Sequence, residues 1–403
     1  MKKTLFVLLA VLAVPAVISA QVTRHELAEI RVGKEGNFKY WNEDSQTIES
    51  LKSFVGKVTD FNCKGYVPPE DRIATFDVDG TLLCETAPYY MNWMLCFYRY
   101  LHDDTYTPDP QDRALVREME EYVLANHSNK SEWGYLQQEL QAKAFRGLTQ
   151  EEFEECVHRF LDNAEPQGLS NLTWGTALYW PMIEVVSYLV ANDFKVFVCS
   201  GVDRDVCRVI CRDVYDIPGY QIIASDVNYV LESQGASDEW TEMGTSEGYP
   251  YNPGERIERG DFKQLTTASN KIVSIRREIG QKPILAWGNS SGDYPMFYHT
   301  TLENRYPSIA FCLLCDDITR EFGNKEKADK CKAACQENGW VGVSMRDEWT
   351  TIYGPDVVRT EPTNVPAVSR GQADDLEYSI NGTRLQHPRR NQVYIQGNTK
   401  RLK

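Results

Sequence analysis

Three short apolar runs along the chain stop abruptly at polar or glycine residues, as buried strands do at the edge of a sheet. They lie at residues 73–76, 194–199 and 284–287. Between the first two runs, residues 86–193 alternate apolar and charged positions at helical spacing and contain few glycines. These patterns predict an α/β protein with a helical segment inserted after its first strand.

Two carboxylates, Asp77 and Asp79, directly follow the first run, and Gly80-Thr81 then breaks the strand. Side chains two residues apart on an extended segment point to the same side, and the carboxyl edge of an open α/β sheet is where ligands bind. Mg²⁺ relieves the repulsion of such a pair and typically also binds a substrate phosphate. The pattern indicates an aspartate that attacks phosphorus and a second that moves protons, and an ordinary Asp-Gly surface turn is the alternative.

Three weaker signals follow in order along the chain. The second run ends in Ser200-Gly201, where a hydroxyl and backbone amides ahead of a predicted helix favour an anion. Lys271 opens a segment with a helical apolar period, and the third run ends in a glycine-rich loop that carries Asn289 and Asp293. Taken singly, each is also typical of a turn or a solvated lysine.

Together the four segments resemble, in order and spacing, the four motifs of the haloacid dehalogenase superfamily of aspartate-nucleophile phosphohydrolases, over roughly residues 68–350. The Asp-Arg-Ile-Ala-Thr-Phe-Asp lead-in and the Gly-Asn-Ser-Ser-Gly-Asp loop are most similar to the phosphoserine phosphatase-like branch, with its phosphorylcholine phosphatase-like members. The resemblance implies a Rossmann-like core of three α/β/α layers with a mainly parallel sheet, residues 67–86 and 194–354, and an inserted helical cap, residues 87–193.

The resemblance also implies a role for each matching residue. Asp77 matches the nucleophile that forms an aspartyl-phosphate, and Asp79 matches the acid/base. Ser200 matches the phosphate-binding hydroxyl, and Lys271, rather than Lys263, matches the cation that neutralises the transferring phosphoryl group. One Mg²⁺ is expected at Asp77, Asp79, Asn289 and Asp293.

Asn289 departs from the motif, because many members of the superfamily have an aspartate there. The site therefore has one negative charge less. An amide oxygen still ligates a hard cation, but with less Coulombic attraction, so weaker Mg²⁺ binding than in an all-aspartate site is expected.

The inserted segment reads as three or more helices, at residues 110–125, 131–146 and 149–164, and Thr149-Gln-Glu-Glu152 forms a capping-box pattern. A cap of this kind closes over the site, excludes water and carries much of the substrate specificity.

Substrate contacts are predicted beside the nucleophile loop, at Gly201, Glu85, Tyr90 and Trp93, with Tyr89, Trp174 and Trp180 as further aromatic candidates. A glutamate among aromatic rings is suited to an ammonium group, such as that of phosphocholine or a phospho-amino acid. The alternative is that these rings only pack in the core or the cap.

Charge and composition narrow the range of partners. The chain has 403 residues, 42% of them hydrophobic, and a formal net charge of −15. Nucleic acids and anionic membranes demand clustered Lys and Arg, so a small-molecule phosphate ester is the expected partner.

Residues 1–20 have a basic start, an apolar middle and a small-residue end. This is the pattern of a signal peptide, and we expect export to the periplasm or beyond it. No other run is apolar and long enough to span a bilayer, so an integral membrane protein is not expected. In an oxidising compartment, one or two disulfides among the 11 cysteines are favoured over free thiols, and the Cys312/Cys315 and Cys331/Cys335 spacings leave zinc as a third option.

Three segments flank or interrupt the predicted core. They are an N-terminal extension, residues 21–66, a loop or hairpin insertion, residues 226–270, and a linker with a small C-terminal tail, residues 355–403. Residues 378–385 and 393–403 read as two strands joined by a turn. They are similar to the C-terminal sorting modules of type IX secretion substrates, and a disordered basic tail is the alternative.

Rival functions share this scaffold. A dehalogenase usually lacks the second aspartate, which Asp79 supplies here, and a phosphomutase is likewise less favoured than a phosphohydrolase. A catalytically silent ligand-binding protein, with Asn289 as its mark, remains the alternative of a different class.

Overall fold

A computed structural model describes residues 21–232 and 253–360, together with four short strands between residues 377 and 402. Seven strands form one sheet in the order β4-β3-β2-β1-β5-β6-β7, and every neighbouring pair is parallel except β3 and β4. The strands are β1 (Ile73–Phe76), β2 (Lys195–Asp203), β3 (Ile222–Leu231), β4 (Ile257–Gln264), β5 (Leu285–Gly288), β6 (Ile309–Leu314) and β7 (Val341–Ser344).

The helices of the described chain lie before, between and after these strands. They are α1 (Arg24–Leu27), α2 (Gln46–Thr59), α3 (Met91–Phe97), α4 (Pro110–Asn126), α5 (Trp133–Ala144), α6 (Gln150–Asn163), α7 (Trp180–Ala191), α8 (Arg204–Ile210), α9 (Ser269–Glu278), α10 (Tyr294–Thr301), α11 (Lys325–Asn338) and α12 (Met345–Glu348). Short π-helical turns extend α3 through Tyr98–His102 and α8 through Cys211–Tyr215.

Both faces of the sheet are covered by helices, which explains why its central strands are mostly apolar and buried. On β5 and β6, Trp287 and Phe311 pack in one apolar cluster, which includes side chains of α2, α7 and α8. Ala286 and Cys312 alternate with them and pack in a second cluster with side chains of α9, α10 and α11. The predicted three-layer α/β/α core with a mainly parallel sheet is confirmed.

Helices α3 to α6 stand between β1 and β2, in the segment that the sequence assigns to a cap. Thr149 caps α6 with the predicted capping box, since it accepts from the Glu152 amide while the Glu152 carboxylate accepts from the Thr149 amide. The last helix of the predicted cap range, α7, packs on β2 in the core. Backbone hydrogen bonds of 2.8 Å tie Gly147 and Leu148 to Arg259 of β4, so the helical insertion is fastened to the sheet edge.

The flanking segments pack as follows. In the N-terminal segment, α2 contacts β7, and Trp41 packs edge-on against Trp349 at 5.7 Å between ring centroids. The predicted insertion at residues 226–270 contains the antiparallel pair of β3 and β4, and residues 233–252 lie outside the described chain. Residues 356–360 are held to the core, where the Ser170 amide donates to the Val358 carbonyl at 2.9 Å.

The C-terminal tail forms a separate antiparallel sheet of four strands, in the order β11-β10-β8-β9. They are β8 (Glu377–Ser379), β9 (Arg384–Leu385), β10 (Val393–Gln396) and β11 (Thr399–Leu402). Each of the two predicted strands is therefore a pair of strands that bond antiparallel to each other. The predicted signal peptide lies outside the described residues, and none of the described helices is long and apolar enough to cross a membrane.

The expectation of disulfides is wrong, because all eleven cysteines are free thiols. Nine of them are buried, and most pack as small apolar groups inside the two clusters. Zinc is not supported either, since the described residues contain no group of three or more His, Cys, Asp or Glu side chains that would hold a metal ion.

Candidate active site

Asp77 lies directly beyond the end of β1, where its amide donates to the Trp287 carbonyl of β5 at 3.0 Å. The parallel pairing of β1 with β5 therefore continues one residue beyond β1, and this holds Asp77 at the carboxyl edge of the sheet. Gly80 then turns the chain back at a φ of +70°, and its amide donates to the Leu83 carbonyl at 2.8 Å. A side chain on Gly80 would collide with the Asn289 amide group, so the two motifs approach too closely for any other residue.

Lys271 joins the first and fourth motifs from the start of α9. Its Nζ lies 2.7 Å from Oδ1 of Asp77 and 2.6 Å from Oδ1 of Asp293, and all three side chains are buried. Burial alone would lower the pKa of Lys271, but the charges of Asp293 and Asp77 raise it above its ordinary value. Lys271 is therefore a permanent cation at the predicted nucleophile, while Lys263 lies on β4 and does not line the cavity there.

Burial and the charge of Asp293 raise the pKa of Asp77 to about 6, and Lys271 limits this rise. The charge of Asp77 therefore depends on Lys271 and on any group that binds beside it in the cavity. Functional sites commonly contain such perturbed groups, because burial and close charges are needed for their chemistry.

Asp293 is fixed by the loop that precedes it. Its Oδ2 accepts from the amides of Asn289 at 2.9 Å and Ser290 at 3.1 Å. Gly288 has no room for a side chain beside it, because an added Cβ would lie 2.5 Å from the Asp293 Cβ. Asp293 thus holds Lys271 with one carboxylate oxygen and the loop at residues 289–290 with the other.

Asp79 is the least satisfied carboxylate of the site. Its Oδ1 is buried and has no hydrogen-bond partner. Burial, with the charges of Asp77 and Glu85, raises the pKa of Asp79 well above its ordinary value. This rise favours the protonated form of Asp79, which a group that donates to a leaving alcohol must adopt.

The residues fit a single hard cation, although the fit rests on few carboxylates. Buried polar atoms are normally hydrogen-bonded, and here Oδ1 of Asp79 is buried without a partner. Asp77, Asp79 and Asn289 therefore offer side-chain oxygens to Mg²⁺. Both oxygens of Asp293 already accept hydrogen bonds, from Lys271 and from the loop amides, and its role as a further ligand stays a prediction.

Ser200 sits near the end of β2 and is buried, and its Oγ accepts from the Val202 amide at 3.2 Å. The neighbouring Gly201 lines the cavity at Asp77. The predicted anion site at the helix that follows is not formed. Strand β2 continues to Asp203, and its carboxylate caps α8 by accepting from the Asp205 amide at 2.9 Å.

Asp203 is held in this position by a buried ion cluster, which was not predicted from the sequence. Arg259 of β4 is 1% exposed and pairs with both Asp203, at 2.5 Å, and Asp205. It also stacks on Phe153 of α6, with the guanidinium carbon 3.7 Å from the ring centroid. No local signal in the sequence links these residues, because they lie on a strand edge, a helix start and the inserted helices.

The four predicted substrate contacts, Gly201, Glu85, Tyr90 and Trp93, all line a cavity of about 290 Å³ that also exposes Asp77, Asp79 and Lys271. Thr267 and Ala268 complete the wall opposite and were not predicted. Tyr89 packs on Trp93, at 5.4 Å between centroids, and lines an adjoining cavity, whereas Trp174 and Trp180 pack elsewhere in the core.

The predicted ammonium contact at Glu85 stays a prediction. Glu85 forms an ion pair with Lys327 of α11, so a cation of the protein already balances its charge. The position of Lys327, 242 residues away in the chain, could not be read from the sequence.

The sequence matches no protein-family model and no curated protein. Several solved structures align with much of the chain at low identity. One, a conserved functionally unknown protein from Anaerococcus prevotii DSM 20548, has 12% identity and a TM-score of 0.47 over 76% of this chain and 93% of its own. Cytosolic 5'-nucleotidase IIIB bound to cytidine has 9% identity and a TM-score of 0.42, over 76% of this chain and 87% of its own. A phosphoserine phosphohydrolase-like protein from Francisella tularensis subsp. tularensis SCHU S4 has 15% identity and a TM-score of 0.32, over 60% and 87%.

The chain has the three-layer α/β/α core, with helices inserted after the first strand, that the resemblance implies. Residues of all four motifs line one cavity at the carboxyl edge of the sheet. The activity must be argued from the side chains of this site.

Proposed function

We propose that this protein is a metal-dependent phosphomonoester hydrolase that acts through an aspartyl-phosphate on a small organic phosphate. The observation that carries the proposal is the buried Asp77–Lys271–Asp293 chain beside Asp79, at the open end of the sheet. A carboxylate nucleophile, a permanent cation and a proton-holding carboxyl group are the parts that phosphoryl transfer requires.

In the first step, a carboxylate oxygen of Asp77 attacks phosphorus and the bond from phosphorus to the leaving oxygen breaks. Asp79 gives its proton to that oxygen, so an alcohol leaves and Asp77 carries the phosphoryl group. In the second step, Asp79 takes a proton from water, whose oxygen attacks phosphorus. The bond to Asp77 then breaks, inorganic phosphate leaves, and both side chains return to their starting states.

Lys271 remains charged throughout and lowers the energy of the developing negative charge on the phosphoryl oxygens. Asp293 and the loop amides hold Lys271 in place. Bound Mg²⁺ at Asp77, Asp79 and Asn289 would supply further charge stabilisation at the phosphoryl group.

The alternative is a ligand-binding protein with no activity, for which the neutral Asn289 is the supporting feature. The placement of two carboxylates and a buried lysine in one cavity favours the hydrolase, because a site that only binds a phosphate ester gains nothing from carboxylates that repel it.

The proposal includes export, which rests on residues 1–20 alone. Mass spectrometry of the protein from its native cell envelope tests it. A mature chain that begins at Gln21 is the expected result, and an intact N-terminus would contradict export by this route.

The activity is tested by phosphate release from a panel of monoesters that includes phosphocholine and phosphoserine, with Mg²⁺ or with a chelator. We expect phosphate release that requires Mg²⁺ and that proceeds at different rates for the different esters. If the folded protein with Mg²⁺ releases phosphate from no ester, the binding alternative replaces this proposal.

A further inference from the structure

A second and larger cavity, of about 980 Å³, adjoins the cavity at Asp77. Glu85, Tyr90 and Ser290 line both, and so mark the passage between them. The compartment at Asp77, of about 290 Å³, has room for a phosphoryl group and a small alcohol. The volume of the neighbouring compartment is typical of sites that enclose a sizeable organic molecule.

Much of this second compartment belongs to the core rather than to the inserted helices. Helix α11 and the residues before it provide Phe322, Asn324, Lys327 and Lys330, and α10 provides Tyr294. Only a few positions, such as His127 and Ser128 beyond α4, come from the helical insertion. The chemistry of this wall is therefore fixed by rigid elements of the core.

The charges on this wall do not cancel. Lys327 pairs with Glu85, and Lys330 pairs with Glu326 at 2.6 Å. The remaining cation is Arg359, which stacks on Phe322 at 4.5 Å from the ring centroid and donates to the Glu321 carbonyl at 3.1 Å. Among the described residues, Arg359 has no carboxylate within ion-pair distance.

An excess positive charge in a cavity is unusual for a chain whose net charge is −15. The ring of Phe322 and the carbonyls hold the guanidinium of Arg359 in one orientation, which is the condition for recognising an anion. A cationic group of a ligand would find no unpaired carboxylate on this wall, because Glu85 and Glu326 each have a lysine partner.

We propose that the leaving group of the substrate enters the larger cavity and carries a second anionic group, a carboxylate or a phosphate, which pairs with Arg359 and is supported by Lys330. The inference rests on the proposed function and names its substrate class, a phosphomonoester of an acidic alcohol. Specificity then depends on α11 and the segment around Arg359, in addition to the inserted helices.

The test compares esters of similar size and different charge, namely 3-phosphoglycerate, glycerol 3-phosphate and phosphocholine, with p-nitrophenyl phosphate as the general substrate. The anionic ester should have a kcat/KM at least about tenfold above those of the neutral and cationic esters, which corresponds to one charge-assisted contact. The rate with p-nitrophenyl phosphate shows whether the protein is a phosphatase at all.

Substitutions at the wall of the larger cavity should change the preference for the anionic ester in both directions. Arg359→Gln and Lys330→Gln should reduce the preference for the anionic ester about tenfold and about threefold, mainly through KM. Glu326→Gln, which frees Lys330, should increase it. Lys332→Gln on the exposed side of the same helix is the matched control and should change nothing.

Each outcome separates the two proposals. Hydrolysis of p-nitrophenyl phosphate without any preference for the anionic ester would overturn the inference and leave the proposed function intact. So would a preference that Arg359→Gln, Lys330→Gln and Glu326→Gln all leave unchanged. The side chains of Lys330 and Glu326 are 73% and 80% exposed, so their replacement is expected to leave the fold intact. No hydrolysis of any ester would overturn the proposed function itself.

Discussion

The ammonium of Lys271 lies 2.7 Å from Oδ1 of Asp77, and these two buried side chains line the same cavity. A nucleophile paired in this way is kept ionised, and the same cation is placed against the oxygens of a phosphoryl group that Asp77 would attack. The pair therefore joins binding and reaction in one contact.

Replacing this cation should remove most of the activity. Lys271→Gln is expected to lower kcat about 10²- to 10³-fold, because it removes a preorganised charge from the transferring group. Lys263→Gln is the matched control, since Lys263 was the other lysine candidate and lies on β4. Steady-state phosphate release compares the two, and equal activity of both variants would show that Lys271 has been assigned wrongly.

The role of Asp79 depends on the leaving group. Asp79→Asn cannot donate a proton to the leaving oxygen, so alkyl phosphates should lose about 10²- to 10⁴-fold in rate. With p-nitrophenyl phosphate, whose leaving group needs little protonation, the first step should lose far less. A burst of p-nitrophenol followed by slow turnover is expected in stopped-flow measurements, since the variant also lacks the base for water. An equal loss with both classes of ester in the first step would contradict an acid role.

The stability of the metal-free protein should depend on Asp77. Its pKa is raised from 3.8 to about 6 in the folded protein, so the unfolded chain releases this proton at lower pH than the folded one. The protonated Asp77 therefore makes the folded protein more stable below pH 4 than at neutral pH. This contribution to the free energy of unfolding is lost as the pH rises from about 4 to 6. The groups that face Asp77 are Asp293, Asp79 and Lys271.

Asp77→Asn removes this titration. In a chelator, its free energy of unfolding relative to wild type should rise by about 1–3 kcal/mol between pH 4 and pH 7, as measured by urea denaturation. Asp316→Asn, at a carboxylate outside both cavities, controls for general pH effects. A difference that does not change with pH would mean that Asp77 titrates normally.

Asn289→Asp adds the negative charge that the resemblance leads one to expect at this position. It should tighten Mg²⁺ binding about tenfold or more, because a third carboxylate faces the cation. In a chelator the same variant should melt at a lower temperature than wild type, since Asp77 and Asp79 lie close and the new charge has no partner. Asn338→Asp on the C-terminal end of α11 is the control. Unchanged Mg²⁺ affinity in calorimetry would show that Asn289 is not a ligand.

The strands and the motifs at their ends could be predicted from the sequence because both depend on neighbouring residues. The apolar run before Asp77 and the turn at Gly80 are local features, and the strand order brings Asp77 and Asp293 together once the fold is assumed. The choice of Lys271 over Lys263 also followed from its place at a helix start.

What the sequence could not provide are partners set by tertiary packing. Nothing near Glu85 indicates that Lys327 will take its charge, and nothing near Asp203 indicates Arg259. The disulfide prediction relied on the expected compartment. It was wrong because the cysteines are spread over buried positions where a thiol packs as an apolar group.

The central claim is that Asp77 becomes phosphorylated, and acid-quenched mass spectrometry measures this directly. Protein mixed with Mg²⁺ and a turned-over ester, quenched within milliseconds and digested with pepsin, should carry one phosphoryl group on the peptide that contains Asp77. Asp79→Asn should accumulate the adduct with p-nitrophenyl phosphate, and Asp77→Asn should show none. Turnover of the ester by Asp77→Asn, or an adduct on another residue, would contradict the account.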